Sequence, residues 1–489
     1  MQLKKELGDI EFSSQTDSEV IAHLLAKLHK DNPLDSLREV CLRLRGSYAL
    51  AVIFCDQPDK IFVARKNSPV VVGCGGGRGV VCSDINSTRD CPEIFVLEEE
   101  NLAVVEANKV QIYDFNLNKL RGVSVKFEKD IEGDSLQSYP HFMLKEIDEV
   151  SKVLRQTMQK YLKIDDFSLI FDEKRLKNVE MLLIVGCGTA YNAGRIGGEI
   201  IERECKIKVE CQLASELTGK TFLQPPNTLA IFVSQSGETA DTLRAVEFCK
   251  EHGLKTLAVT NVKNSSISRV CDFVLYTHAG KEVAVASTKA FNCQVAVLYL
   301  FASYLKSLKE DVDYVEEEST RLLEVSNQIE GLEIDGQCQE IANLIGGEKS
   351  IYMIGRGLDY LLAKESALKL KEITYIHCEA FPAGELKHGT ISLIEEGTIV
   401  FAFATCKQTL PKMLSSIKEV QSRGARVILL TQFDDIQEAF LTIKLKSLPE
   451  KYMPLYAVVY MQKIAYFTAL CLGLNPDKPR SLAKSVTVE

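Results

Sequence analysis

The chain has 489 residues, 46% of them hydrophobic and 26% charged, with a formal net charge of −9 at neutral pH. That length is too great for one ordinary core and suggests three units of ~150 residues each, with the composition of a soluble globular protein. The acidic balance excludes a general nucleic-acid binder, which needs a basic face, but not an anionic small substrate held at a helix N-terminus.

The opening MQLKKELGD has no apolar core, so no secretory leader is expected and the chain reads as cytoplasmic. Ser13, Ser14 and Gln15 form a turn cluster, and Thr16 or Asp17 follows as an N-cap. Glu19 stands three residues after Thr16, a capping box before the apolar Val20, Ile21, Leu24 and Leu25. To about residue 127 the chain runs in short β-rich segments with turns, the pattern of a mostly antiparallel sheet. Within it, GCGGGRG (73–79) reads as a loose hairpin, and the polar KDIEGDSLQS (129–138) reads as a linker.

From Tyr139 strands alternate with long helices, the mark of parallel α/β layers. The region repeats: LLIVGCG (182–188) matches IYMIGRG (351–357), AIFVSQS (230–236) matches IVFAFAT (399–405), and LKTLAVTN (254–261) matches ARVILLTQ (425–432). Two copies of one doubly wound domain are expected, joined by an acidic helical stretch over roughly 308–345, with ligands at the carboxyl ends of the strands. The apolar runs 295–305 and 452–474 are too short, or too interrupted by Gln462 and Lys463, for a membrane span, and read as buried helices. Fifteen cysteines are scattered without a CxxC pair, as reduced core thiols would be, and no metal site is expected.

The sharpest constellation is VSQSGETADT (233–242), between an apolar strand and a helix. Ser234, Gln235, Ser236 and Thr239 bring hydroxyl and amide groups to that strand end, and Gly237 permits close backbone approach. A well-capped turn is the bland alternative; a phosphate cradle without lysine is the functional one. The second copy has ATCKQT there, so one phosphate site is expected, with Thr189 of GCGTAYN (186–192) as a further hydroxyl. In KESALKLKEITYIH (364–377), Glu365, Lys369 and Glu372 share one helix face, either a solvated ion-pair face or part of a proton-transfer site. The loop CEAFPAGELKHG (378–389), with Glu379, Glu385, Lys387 and His388, favours the latter. Lys484 in the terminal PRSLAKSVTVE is either an exposed lysine or an amine for a Schiff base.

Together SQSGETADT, EVAVASTKAF (282–291), ALKLKEITYIH, GELKHG and LAKSVTVE resemble the synthase half of the glutamine–fructose-6-phosphate aminotransferase (isomerizing), or glucosamine-6-phosphate synthase, family. The resemblance covers Tyr139 to Glu489 and implies two sugar isomerase (SIS) domains, 139–312 and 340–489, the second carrying a catalytic tail. It implies a homodimer acting on fructose 6-phosphate and ammonia or glutamine without a cofactor. Ser234, Gln235, Ser236 and Thr239 then hold the phosphate, and Val285 and Ser287 contact the sugar. Lys484 forms the Schiff base at C2, Glu372 moves the proton between C1 and C2, Lys369 assists at a sugar oxygen, and Glu365 lies near the substrate. His388, offered by the neighbouring subunit, helps open the ring. Ala190 departs from the pattern, since the family usually has serine there, and a weaker KM for the sugar phosphate is expected.

Residues 1–127 resemble the rear part of the family's N-terminal-nucleophile (type 2) glutaminase, an α+β domain. Only Asp17, which matches the residue holding the α-amino group of glutamine, can be placed. The first cysteine is Cys41, inside the chain, and tryptophan is absent. The expectation is therefore an incomplete glutaminase with unpaired strand edges, in a chain that uses free ammonia or only isomerises the sugar. A fructosamine-phosphate deglycase of the SIS type and a non-catalytic sugar-phosphate sensor are the alternatives.

Overall fold

The computed structural model describes residues 2–486 except 9, 67, 84, 89, 123, 125–134, 169, 172, 220, 226, 435, 437 and 438. Most of the expected 129–138 linker and the last three tail residues lie outside the described residues.

The N-terminal region is α+β. Its larger antiparallel sheet runs Tyr48–Phe54, Gln57–Lys66, Leu102–Glu106, Lys109–Tyr113, Lys119–Leu120. A smaller one runs Arg78–Cys82, Val71–Gly75, Glu93–Val96. Alternation along the second strand divides its residues between two cores. Phe62 and Ala64 pack with Leu24, Leu37 and Val40 of the helices Ser18–Leu28 and Pro33–Cys41, while Val63 packs with Val72, Leu97 and Val105. Tyr48–Phe54 is an open edge of its sheet, with Ile53 62% exposed. GCGGGRG is a hairpin, tighter than expected: Gly76 and Gly77, at φ +63° and +81°, make a two-residue turn between paired strands.

The capping box expected at Thr16 is not formed. Asp17 is the N-cap of Ser18–Leu28 and makes no side-chain cap bond. Glu19, inside the first turn, instead reaches back past it to the Ser13 and Ser14 N–H groups at 2.6 and 2.7 Å and to both serine hydroxyls. These bonds, the Ser14 hydroxyl foremost, hold its carboxyl at about 2.

Beyond the linker come two parallel sheets of one design. In the first, β1 (Met181–Gly186), β2 (Lys208–Leu213), β3 (Thr228–Ser234), β4 (Lys255–Thr260) and β5 (Phe273–Tyr276) lie in the order β2-β1-β3-β4-β5. In the second, β6 (Ser350–Gly355), β7 (His377–Pro382), β8 (Ile399–Ala404), β9 (Arg426–Thr431) and β10 (Leu441–Lys444) repeat it as β7-β6-β8-β9-β10. β1, β3 and β8 are buried at every position, as strands covered on both faces must be. The order reverses between β1 and β3 and again between β6 and β8, where a ligand crevice opens at the strand ends.

The two apolar runs are buried helices, Lys289–Glu310 and Met453–Cys471. They belong to one core that also takes in β1, β3, β6 and β8. Gly197 of the helix Gly188–Cys205 lets the first of them approach closely: a Cβ there would lie 2.5 Å from the Leu298 Cβ. The acidic stretch forms the helices Val315–Ile329 and Asp335–Ile345. Val315–Ile329 is tied to Val150–Met158 by Ser151–Ser326 and Arg155–Glu330 contacts. No helix among the described residues is long and apolar enough to cross a membrane.

Candidate active site

The crevice of the first sheet is built from the turn after β3. Gly237 takes φ +69°, and a Cβ there would lie 2.3 Å from the Ser265 Oγ, so the turn requires glycine twice over. Ser234 Oγ accepts the Gly237 N–H at 3.1 Å and meets the Thr239 hydroxyl at 3.2 Å. Ser236 Oγ accepts the Glu238 N–H at 3.2 Å, and the Gln235 carbonyl is fixed by the Asn261 N–H at 3.1 Å. The helix Ala240–Glu251 then starts at this turn, with Thr239 as its N-cap. The matching turn of the second sheet is closed by its own chain. There Thr405 gives its N–H and hydroxyl to the buried Asp359 at 2.8 and 2.5 Å.

The helix Leu358–Thr374 carries the acid–base face. Glu365 and Lys369 are not solvated: their side chains are 0% and 1% exposed, while Glu372 reaches the surface. Lys369 Nζ lies 2.6 Å from Glu372 and 3.6 Å from Glu365. What covers the face is the first α/β unit. The Thr189 hydroxyl and the Asn192 amide donate to Glu365 at 3.0 and 2.8 Å. Burial pushes the Glu365 carboxyl up to about 7, against the pull of Lys369. For Lys369 burial works against the charge, but Glu372 and Glu365 outweigh it and hold the ammonium above its ordinary range.

The C-terminal tail crosses both features. The Arg480 N–H donates to the Tyr375 hydroxyl at 2.7 Å, and its guanidinium stacks 4.1 Å over the Tyr375 ring. Asp477 caps the helix Phe142–Asp148 through the Phe142 and Met143 N–H groups, and its carbonyl receives the Val285 N–H. Further on, Lys484 Nζ donates to Glu282 at 2.6 Å and to the Ala284 carbonyl at 2.8 Å. Ser485 meets Ser236 hydroxyl to hydroxyl at 3.0 Å, and the Val486 carbonyl accepts the first N–H of the helix Ala240–Glu251. The tail thus brings its amine between the hydroxyl turn and the acid–base face. Glu282, which holds that amine, also acts electrostatically on Lys369.

Contacts through Ser485, Asp477 and Glu282 link the tail at Lys484 to the turn of Ser234, Gln235, Ser236 and Thr239 and to Val285 and Ser287, and Glu282 acts electrostatically on the Glu365–Lys369–Glu372 face. Thr189 is placed differently from expectation, since its hydroxyl is directed at Glu365 and not at the β3 turn. Ser287 gives its hydroxyl to Glu282 at 2.8 Å. His388 is exposed on the short turn Glu385–His388, and Lys387 beside it pairs with Glu419 outside the crevice. Asp17 is exposed in the N-terminal region and apart from this constellation. Glu282 and Glu146 were not anticipated; Glu282 heads the motif EVAVASTKAF, and Glu146 carries no sequence signal. All fifteen cysteines are free thiols.

Known proteins share the family and fold of this chain. The model of the SIS domain family matches residues 175–304 and 344–470. The glutamine–fructose-6-phosphate aminotransferase [isomerizing] of Caldanaerobacter subterraneus subsp. tengcongensis is 39% identical over 98% of this chain and 80% of its own length. That of Methanosarcina mazei is 40% identical over 100% of this chain and 83% of its own. Among solved structures, the C-terminal domain of glucosamine-fructose-6-phosphate aminotransferase from Francisella tularensis is similar. It shows a TM-score of 0.67 and 32% identity, covering 70% of this chain and 100% of that one.

Proposed function

The chain belongs to the glutamine–fructose-6-phosphate aminotransferase (isomerizing) family, and from that premise we propose that its crevice converts D-fructose 6-phosphate to D-glucosamine 6-phosphate. The observation that carries this is the convergence of three chemistries: the hydroxyl turn at a helix N-terminus, the Lys369–Glu372 pair and the amine of Lys484.

The roles follow from what each group can do. Ser234, Gln235, Ser236 and Thr239 bind the phosphate, aided by the helix N–H groups. Val285 and Ser287 contact the sugar. Lys484 condenses with the C2 carbonyl, which activates C1 for proton removal. Glu372 takes the C1 proton and returns it at C2, while Lys369 sits at a sugar oxygen and Glu365 holds Lys369 in place. No step needs a cofactor. His388, exposed on its turn, acts across a homodimer to open the sugar ring. We take 139–312 and 340–489 as the two SIS domains and 1–127 as the glutaminase-like domain. The free thiols fit a reducing cytoplasm. Ammonia or glutamine is the proposed nitrogen donor. Neither a deglycase nor a sensor gains support: a sensor needs the hydroxyl turn but not Lys484 and Glu372.

Purified chain incubated with fructose 6-phosphate and either ammonium or glutamine should form glucosamine 6-phosphate with ammonium. Loss of the sugar-phosphate reaction with both donors, with no isomer formed, would overturn the function.

A further inference from the structure

Glu282 has no place among the roles just given, yet its carboxylate is fully enclosed, with its side chain 0% exposed. One oxygen sits at the start of the helix Lys289–Glu310, accepting the Thr288 and Ala290 N–H groups at 2.9 and 3.1 Å. The other accepts from the Ser287 hydroxyl at 2.8 Å and from Lys484 at 2.6 Å. Burial opposes its charge, but Lys484 and the helix N–H groups override burial and hold it well below the usual carboxylate range.

Glu146, on the helix Phe142–Asp148, lies beside it and takes the opposite course. Its Oε1 accepts the N–H groups of Val283 and Ala284, and its Oε2 is buried with no hydrogen-bond partner among the described residues. Burial, and then the charge on Glu282, pushes Glu146 up to about 8. Two adjacent acids driven apart in this way carry one negative charge between them at neutral pH. That charge stands on Glu282, the member that touches the lysine.

We propose that Glu282 is a catalytic residue, the counter-ion of the Lys484 nitrogen: it holds the ammonium in the free site and keeps the iminium protonated after condensation. This rests on the reading of Lys484 as the Schiff-base residue. Condensation joins Nζ to C2 and expels the carbonyl oxygen as water. Two of the three ammonium protons leave with that oxygen, and the third stays on nitrogen, where Glu282 accepts its hydrogen bond. A charged iminium draws in the C1–H bonding pair when Glu372 takes the C1 proton, and a neutral imine does so far less. Other ionisable groups face the pair from every side. Lys369 is neutralised by Glu372 and Glu365, Lys289 is paired with Glu149 at 2.7 Å, and burial pushes the Cys293 thiol up to about 12. The polar partners of Lys484 Nζ are Glu282 and the Ala284 carbonyl.

The test uses the full chain with Glu282→Gln and Glu282→Asp. An amine-reactive reagent, read by mass spectrometry at Lys484 across pH, reports the nitrogen without any need for turnover. The half-reaction point should fall by roughly 1–3 pH units in Glu282→Gln, and by less in Glu282→Asp, which keeps a charge one methylene further away. With fructose 6-phosphate, the alkaline limb of kcat should move down with it and kcat at pH 8 should drop about 100-fold in Glu282→Gln. If Glu282→Gln does not fold, the Asp variant still decides by its labelling profile and alkaline limb. Labelling and kcat profiles that match wild type in the variants that fold would overturn the proposal alone. Absence of a borohydride-trapped sugar adduct on wild-type Lys484 would overturn the Schiff-base reading and this proposal with it.

Discussion

Glu146 shows how a single buried acid shapes the pH response of the whole chain. Its carboxyl is raised from about 4.5 to about 8, so its contribution to stability is fully present below the unfolded value and is lost as pH rises through the folded one. Glutamine in its place keeps the carbonyl acceptor for Val283 and Ala284, puts an N–H donor where Oε2 is unpartnered, and does not titrate. Glu146→Gln should therefore melt close to wild type at pH 5 and above it at pH 9. The gap should open by on the order of 2–4 °C, read by calorimetry at a series of pH values. A gap that closed with rising pH would contradict a neutral Glu146. Residues differ in how far such roles can be read beforehand. Ser234, Ser236 and Thr239 announce themselves because several hydroxyls around a glycine exceed what a helix cap needs. Lys484 and Glu372 are legible through the motifs around them. Glu146 is not, because a glutamate in an ordinary amphipathic helix looks the same whether water or a second carboxylate lies opposite.

At the scale of elements, the helix Leu358–Thr374 marks where periodicity stops being informative. Spacing puts Glu365, Lys369 and Glu372 on one face, but does not say what covers that face. The cover comes from the first turns of the helix Gly188–Cys205 that follows β1, some 170 residues earlier in the chain, through Thr189 and Asn192. The end of the helix was equally silent, since Tyr375 closes it at φ +63° where glycine would have been the signal. That tyrosine anchors the tail, its hydroxyl accepting the Arg480 N–H and its ring carrying the guanidinium. Tyr375→Phe keeps the ring and loses the acceptor. A lost hydrogen bond of about 1 kcal/mol should lower kcat roughly fivefold. Trypsin should cleave faster after Arg480 and Lys484, while the melting temperature stays within a degree or two. Faster cleavage without loss of kcat would mean that the tail is not positioned through Tyr375.

At the scale of the molecule, the repeat was legible because each copy is an autonomous pattern of buried strands and flanking helices. The division of labour between the copies was only partly so. ATCKQT lacks the paired serines, but Asp359, which closes that turn, lies on a different element and is seen only in three dimensions. The shared core that runs through both copies fixes the crevice within one chain, with Lys484, Glu372 and the hydroxyl turn all supplied in cis. His388 is the exception, exposed on its turn and carrying a ring suited to proton transfer. In a homodimer with twofold symmetry, a residue that serves the partner can be separated genetically from those that serve its own chain. A His388→Ala chain and a Lys484→Ala chain should each be inactive alone. Mixed in equal amounts, unfolded and refolded together, half of the dimers are hybrids. If His388 crosses the interface, each hybrid has one crevice with both residues intact, so specific activity should recover to roughly a quarter of wild type. If His388 serves its own crevice, each site in the hybrid lacks one residue and no activity returns. Recovery in the mixture, with neither variant active alone, is the outcome that makes the dimer a requirement of the chemistry.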